Sequence, residues 1–270
     1  RSTPSNSSAA SDVYKRQMFS LTTEIRLLEL GDFNQPLLKR LMVEAPGTYH
    51  HSLLVANLAE AAADVISANS LLVRVGAYYH DIGKLNKPHY FIENQPSLGS
   101  KHEDLNPTMS SLIVISHVKD GIALARKYNL DQVLIDFIAQ HHGTTLIHFF
   151  YQKALASADR EDISEPSFRY PGPPPKTREV AICMLADAVE AAVRTLEEPT
   201  HSRIRDLVIK IINNKFIDGQ LNECNLTLTN LHKIAESFIH TLTAVYHSRV
   251  EYPEEKDLEK EKRPKNDLSK

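Results

Sequence analysis

Arg74-Val75-Gly76-Ala77-Tyr78-Tyr79-His80-Asp81-Ile82-Gly83-Lys84 is an apolar run that ends on an adjacent imidazole and carboxylate. Asn69-Ser70 ahead of it can cap a helix, and the apolar residues of 70–81 recur with helical period. Neighbours on a helix diverge by about 100°, so His80 and Asp81 can face one point only where the helix ends. Gly83 marks such an end as a left-handed stop. His141-His142 followed by Gly143 repeats the arrangement.

The same period extends outward to about 36–43, 49–68, 108–127, 131–142, 146–158, 177–196, 201–217 and 227–248, and strand alternation is not evident. The fold class expected is all-α. Thr108 or Ser110 is expected to start the helix that carries His117. Gly and Pro collect in 83–99 and 157–176, where Tyr170-Pro171-Gly172-Pro173-Pro174-Pro175 cannot be helical. Long loops of this kind in a compact domain are often functional.

Residues 1–17 are rich in Ser, Ala and Asn without apolar period and read as a disordered or non-native leader. Residues 253–270 are Glu, Lys, Asp and Pro and read as a charged, disordered tail. One domain over 18–252 remains, and no stretch approaches the roughly 20 apolar residues of a membrane span. A net charge of −3 argues against a protein that grips long nucleic acid. Two distant cysteines, Cys183 in an apolar run and Cys224 in a polar loop, suggest free thiols and a reducing, cytoplasmic setting.

Seven side chains could bind metal: His51, His80, Asp81, His117, His141, His142 and Asp187. His51 shares a helical stripe with Leu54, Val55, Leu58 and Ala59; His141 follows Leu134, Phe137 and Ile138 in phase; Asp187 follows Val180, Cys183 and Met184. All three point inward, as does His117, one turn after Ile113. A buried imidazole or carboxylate without partners costs several kcal/mol, roughly, and a shared cation removes all of these costs together. A single inward histidine is more often a hydrogen-bonded core residue, but seven in phase reverse that reading. His50, His89, His102, His148, His201, His232, His240 and His247 lack this context and are assigned no metal.

His51, His80-Asp81 and Asp187 resemble the H…HD…D signature of the HD phosphohydrolase superfamily, and His117 with His141-His142 resembles its subgroup with a two-metal centre. Ala45-Pro46-Gly47-Thr48-Tyr49-His50-His51-Ser52 and the run through Lys84 are similar to the cytoplasmic HD domain of seven-transmembrane HD receptors that hydrolyse cyclic di-AMP. Phe91-Ile92-Glu93-Asn94-Gln95, Ile115-Ser116-His117-Val118-Lys119-Asp120-Gly121, His141-His142-Gly143-Thr144 and Tyr170-Pro171-Gly172-Pro173 extend the likeness over roughly 18–250. The Gly-Tyr-Pro signature of related cyclic di-GMP hydrolases is absent after His141-His142, which weighs against guanine.

The resemblance implies a single HD helical bundle with His51, His80, Asp81 and Asp187 on one metal, His117, His141 and His142 on the other, and Asp81 bridging. It implies hydrolysis of cyclic di-AMP to linear pApA by a hydroxide held between the ions. It also implies that the chain is the cytoplasmic module of an inner-membrane protein, with no membrane contact of its own. The ligand types suit iron or manganese better than calcium or magnesium. Lys84, three residues after Asp81, is expected to meet the phosphate and take part in catalysis, with capping of the preceding helix as its competing role; Arg194, two turns after Asp187, is a second candidate contact. Tyr90 and Phe91 are candidates to stack a base, whereas Tyr78 and Tyr79 suit the core. The alternatives are a cyclic di-GMP phosphodiesterase or a one-metal nucleotidase of the same superfamily, and a non-catalytic module that binds the second messenger.

Overall fold

The computed structural model describes residues 22–95, 101–103, 105–156 and 163–247; the expected leader, 1–17, and tail, 253–270, lie outside them. Ten α-helices occur among the described residues: α1 (Glu24–Leu30), α2 (Pro36–Glu44), α3 (Pro46–Val65), α4 (Ser70–Tyr79), α5 (Pro107–Lys127), α6 (Gln132–Gln140), α7 (His148–Leu155), α8 (Arg178–Val193), α9 (His201–Ile217) and α10 (Leu228–His247). No strand forms among these residues, and the one β-bridge joins Leu146 to Arg169. The all-α expectation holds.

Local chemistry sets the helix limits. The Asn69 side chain accepts from the Leu72 N–H to start α4, and Thr177 accepts from Val180 N–H to start α8. α5 starts at neither Thr108 nor Ser110: Asn106 accepts from Met109 N–H, and Pro107 occupies the first helical position, where its missing N–H has no partner to lose. α1 is an element that periodicity did not reveal, because seven residues capped by Thr23 bury only Leu27 and Leu30.

α8 runs through the middle of the molecule. Val180 through Asp187 are all buried, as expected of a helix covered on every side. α3, whose buried face is largely Val55, Ala56, Ala59, Ala62 and Ala63, packs against α4, α8 and α10. These small residues allow close helix approach. One apolar cluster joins α3, α8, α9 and α10, and a second joins α1, α2, α4 and α6. Cys183 is buried as expected; Cys224 lies in a loop as expected, between α9 and α10, and is buried there; both thiols are free. No described helix is long and apolar enough to cross a membrane.

Candidate metal centre

α4 ends at Tyr79 and α6 at Gln140, so each helix stops immediately before its adjacent pair. His80 and Asp81 thus turn to one point, as do His141 and His142. Gly143 has the expected left-handed backbone, φ +54°. Gly83 does not: it lies inside a 3₁₀ turn, Ile82–Asn86, and is needed for another reason. A β-carbon there would collide with the His117 carbonyl oxygen and the Gly121 nitrogen of α5, so glycine lets the α4 end lie against the helix that carries His117.

The seven expected side chains form two adjoining groups, His51 with His80 and Asp187, and Asp81 with His117, His141 and His142. Asp81 joins them. Its Oδ2 lies 3.3 Å from His80 Nε2 and 3.7 Å from His51 Nε2, while Oδ1 lies 3.3 Å from His117 Nε2 and 3.6 Å from His141 Nε2. Asp187 spans similarly, with Oδ1 3.1 Å from His51 Nε2 and Oδ2 3.6 Å from His142 Nδ1. His50, one residue from His51, is exposed.

The outer ring nitrogens explain why the inner ones converge. Nδ1 of His80 donates to Ala77 O at 2.7 Å, that of His117 to Val114 O at 2.6 Å, and that of His141 to Ile138 O at 3.0 Å, each a carbonyl three residues earlier. His51 Nδ1 instead pairs with Glu190 Oε2 of α8 at 2.5 Å. In the tautomer that the carbonyl bonds of His80, His117 and His141 require, Nε2 is a bare lone pair. His117 Nε2 and His141 Nε2 then face each other at 3.3 Å, with Asp81 Oδ1 beside both, so three acceptors meet with no proton between them. Asp81 Oδ1 and His80 Nε2 are buried without a hydrogen-bond partner. Such atoms cost roughly 1–3 kcal/mol each. Divalent cations bound by imidazole and carboxylate fit these residues, and the surrounding charge favours them: Asp81, Asp187, Glu93 and Glu190 against the Lys84 ammonium.

The two groups differ in protonation. Burial opposes a charged His51, but hydrogen bonds to Asp187 and Glu190 raise its pKa to about 10. Burial pulls His117 down to about 4, and burial with the neighbouring His141 takes His142 well below the usual imidazole range. Burial also opposes ionised Asp81, yet the Lys84 ammonium together with His80 and His141 outweighs it and holds the carboxyl well below the usual range.

Lys84 is more tightly engaged than its place in sequence indicates. Its Nζ lies 2.7 Å from Asp81 Oδ2 and 2.7 Å from Glu93 Oε1, and it sits over the Phe91 ring. Glu93 in turn accepts from Thr48 Oγ1. Arg194 ends α8, is exposed and borders the same cavity, a space of about 320 Å³ that His51, Lys84, Phe91, His117, His142 and Asp187 also line. Tyr79 is a core residue whose hydroxyl donates to Leu30 O. Tyr90 packs on His102, away from that lining.

Spacing in the sequence assigned no role to Glu93, Glu190, Tyr170 or Lys215. Glu190 carried a signal, since it stands three residues after Asp187 and so shares its helix face. Tyr170, whose ring stacks on His142 at 4.2 Å, and Lys215 of α9, whose Nζ donates to Thr145 Oγ1 at 2.9 Å, reach the cavity through tertiary contacts alone.

Comparison with known proteins follows the same lines. The HD domain family profile matches residues 48–192, which contain all seven side chains. The cyclic-di-AMP phosphodiesterase PgpH of Bacillus subtilis is 50% identical over 236 residues, covering 87% of this chain and 33% of that protein. Its Listeria monocytogenes counterpart is 49% identical over 240 residues, covering 89% and 33%. The chain thus spans about a third of the length of these curated relatives. The crystal structure of the L. monocytogenes PgpH HD domain in complex with cyclic-di-AMP superposes with a TM-score of 0.77 at 48% identity, over 80% of this chain and 100% of that one. In sequence, fold and the side chains gathered at its centre, this chain belongs to the HD domain family.

Proposed function

We propose that this chain is a metal-dependent phosphodiesterase that hydrolyses cyclic di-AMP to linear pApA, with residues 18–252 as its catalytic module. The observation that carries the hydrolytic reading is the Asp81 carboxylate, whose two oxygens face two separate groups of imidazoles. The adenine preference rests on similarity to PgpH of two organisms and to a homologous domain crystallised with cyclic-di-AMP.

His51, His80 and Asp187 would hold one ion and His117, His141 and His142 the other, with Asp81 shared; iron or manganese suits this donor set. When bound, a pair of such ions polarises a phosphodiester and lowers the pKa of a water between them. The protein's own groups do the rest. Glu190 fixes the His51 ring through Nδ1 and keeps its Nε2 aimed inward. Lys84 has three N–H donors, two of them held by Asp81 and Glu93, and the third is available to a non-bridging phosphate oxygen. Arg194 extends positive charge to the rim, and Phe91 and Tyr170 offer apolar wall to a base. Membrane attachment belongs to the longer parent protein in this reading.

The test is purified protein with Mn²⁺ or Fe²⁺, offered cyclic di-AMP and cyclic di-GMP separately, with products resolved by chromatography over time. Linear pApA as first product and higher kcat/KM for the adenine substrate are expected. Equal efficiencies would remove the adenine assignment, and mononucleotide without linear dinucleotide would remove the single cut.

A further inference from the structure

α9 is amphipathic, with Ile204, Val208 and Ile212 on its buried face at four-residue steps. Lys215 stands three residues after Ile212 and continues that stripe, so the sequence places an ammonium where the next core side chain belongs. Lys215 is partly buried. It forms no ion pair with any carboxylate among the described residues, and its hydrogen bond goes to Thr145 Oγ1. Thr145 Oγ1 in turn donates to His142 O at 2.6 Å, which ties the ammonium to the metal-side backbone and to the cavity it lines. An ammonium held from water without a counter-charge is costly. Burial lowers its pKa to about 8, although the more distant Asp187 and Asp218 carboxylates act to raise it. A ligand anion would offset that cost.

Among the cations lining the cavity, Lys84 is held beside the metal ligands by Asp81 and Glu93, where it serves the phosphate being cleaved, which leaves Lys215 and Arg194 for a second one. A cyclic dinucleotide carries two phosphodiesters on opposite sides of its ring. One dinuclear centre engages one of them, and the other enters the cavity as a separate anion that needs a partner. Lysine suits this as a compact charge that makes no demand for bidentate geometry. We propose that Lys215 binds the phosphate that is not being cleaved, and so selects two-phosphate cyclic substrates over single phosphodiesters. This rests on the phosphodiesterase reading above.

The test compares Lys215→Met and Lys215→Arg with the wild-type chain on cyclic di-AMP and on bis(p-nitrophenyl) phosphate, a diester with one phosphate. For Lys215→Met, KM for cyclic di-AMP should rise about tenfold to a hundredfold, the range of a hydrogen bond to a charged group, with little change in kcat. The ratio of kcat/KM between the two substrates should fall by the same factor, and Lys215→Arg should recover most of it. Tm should be unchanged or higher in Lys215→Met. Parallel losses on both substrates, with or without a lower Tm, would overturn the proposal, as would an unchanged ratio. Wild-type turnover of the simple diester but of neither cyclic dinucleotide would overturn the substrate reading itself, a result visible before any variant is made.

Discussion

The two halves of the centre are built by different means. His117 and His141 are oriented locally, each donating Nδ1–H to a carbonyl of its own helix, and burial keeps His117 neutral. His51 is oriented at long range: α3 supplies the ring, while α8 supplies both Glu190 behind it and Asp187 in front, and the ring carries a proton in the metal-free fold. The first half depends on where helices end, the second on how two helices pack. Asp81 contacts two histidines of each half, Oδ2 facing His80 and His51 and Oδ1 facing His117 and His141, whereas Asp187 reaches only His142 on the second side.

The largest effect should therefore follow Asp81→Ala. Turnover should be lost by at least about a thousandfold, as for loss of a metal clamp, and metal content should fall at both positions. Two retained metals with near-normal turnover would show the ligand assignment to be wrong. His117→Ala should chiefly empty one position, which elemental analysis would register as a drop toward one ion.

Gly83→Ala sharpens the local half. The added methyl meets the His117 carbonyl and the Gly121 nitrogen of α5, and backbone cannot swing aside as a long side chain can. Destabilisation of about 1–3 kcal/mol, typical of overpacking, is expected, together with weaker metal uptake on the His117 side. Thermal unfolding with and without metal measures both, and a Tm equal to that of the unaltered chain would contradict the close approach of α4 and α5.

Glu190→Gln addresses the long-range half. Metal affinity on the His51 side should weaken about 10–100-fold, the usual effect of removing an outer hydrogen-bond partner, while the other side keeps its affinity. Equal loss on both sides would mean that the halves do not differ as described. The smallest effect concerns protons. His51 is protonated at pH 7, its pKa raised to about 10, and His117 is neutral, its pKa lowered to about 4. Metal entry at His51 Nε2 must displace its proton, so uptake should release about one proton at neutral pH, and affinity should rise with pH toward 10. Calorimetric titrations in two buffers of different ionisation enthalpy measure this, and buffer-independent heats would contradict it.

Much of this comparison was legible in the sequence, because it rests on periodicity and punctuation. Nine helices lie close to where the apolar period places them, and His80-Asp81 and His141-His142 fall at helix ends because an adjacent pair has no other way to converge. α1 escaped because two buried leucines in seven residues make no period. Gly83 was assigned to the wrong constraint: its φ is ordinary, and the need for glycine comes from a helix that begins more than twenty residues later. Glu93, Tyr170 and Lys215 act on the site through contacts across the fold, and spacing along a chain does not report such contacts. Lys215 nevertheless left a trace, as a charge in line with an apolar stripe.

A centre for two cations per chain is tested most directly by metal stoichiometry. The protein should be purified anaerobically, stripped with chelator, reloaded with Mn²⁺ or Fe²⁺ and analysed for metal against protein concentration. A ratio near two is predicted, with the two sites filling in separable steps because one must displace a proton and the other need not. A reproducible ratio near one, with no second site filled on titration, would contradict it.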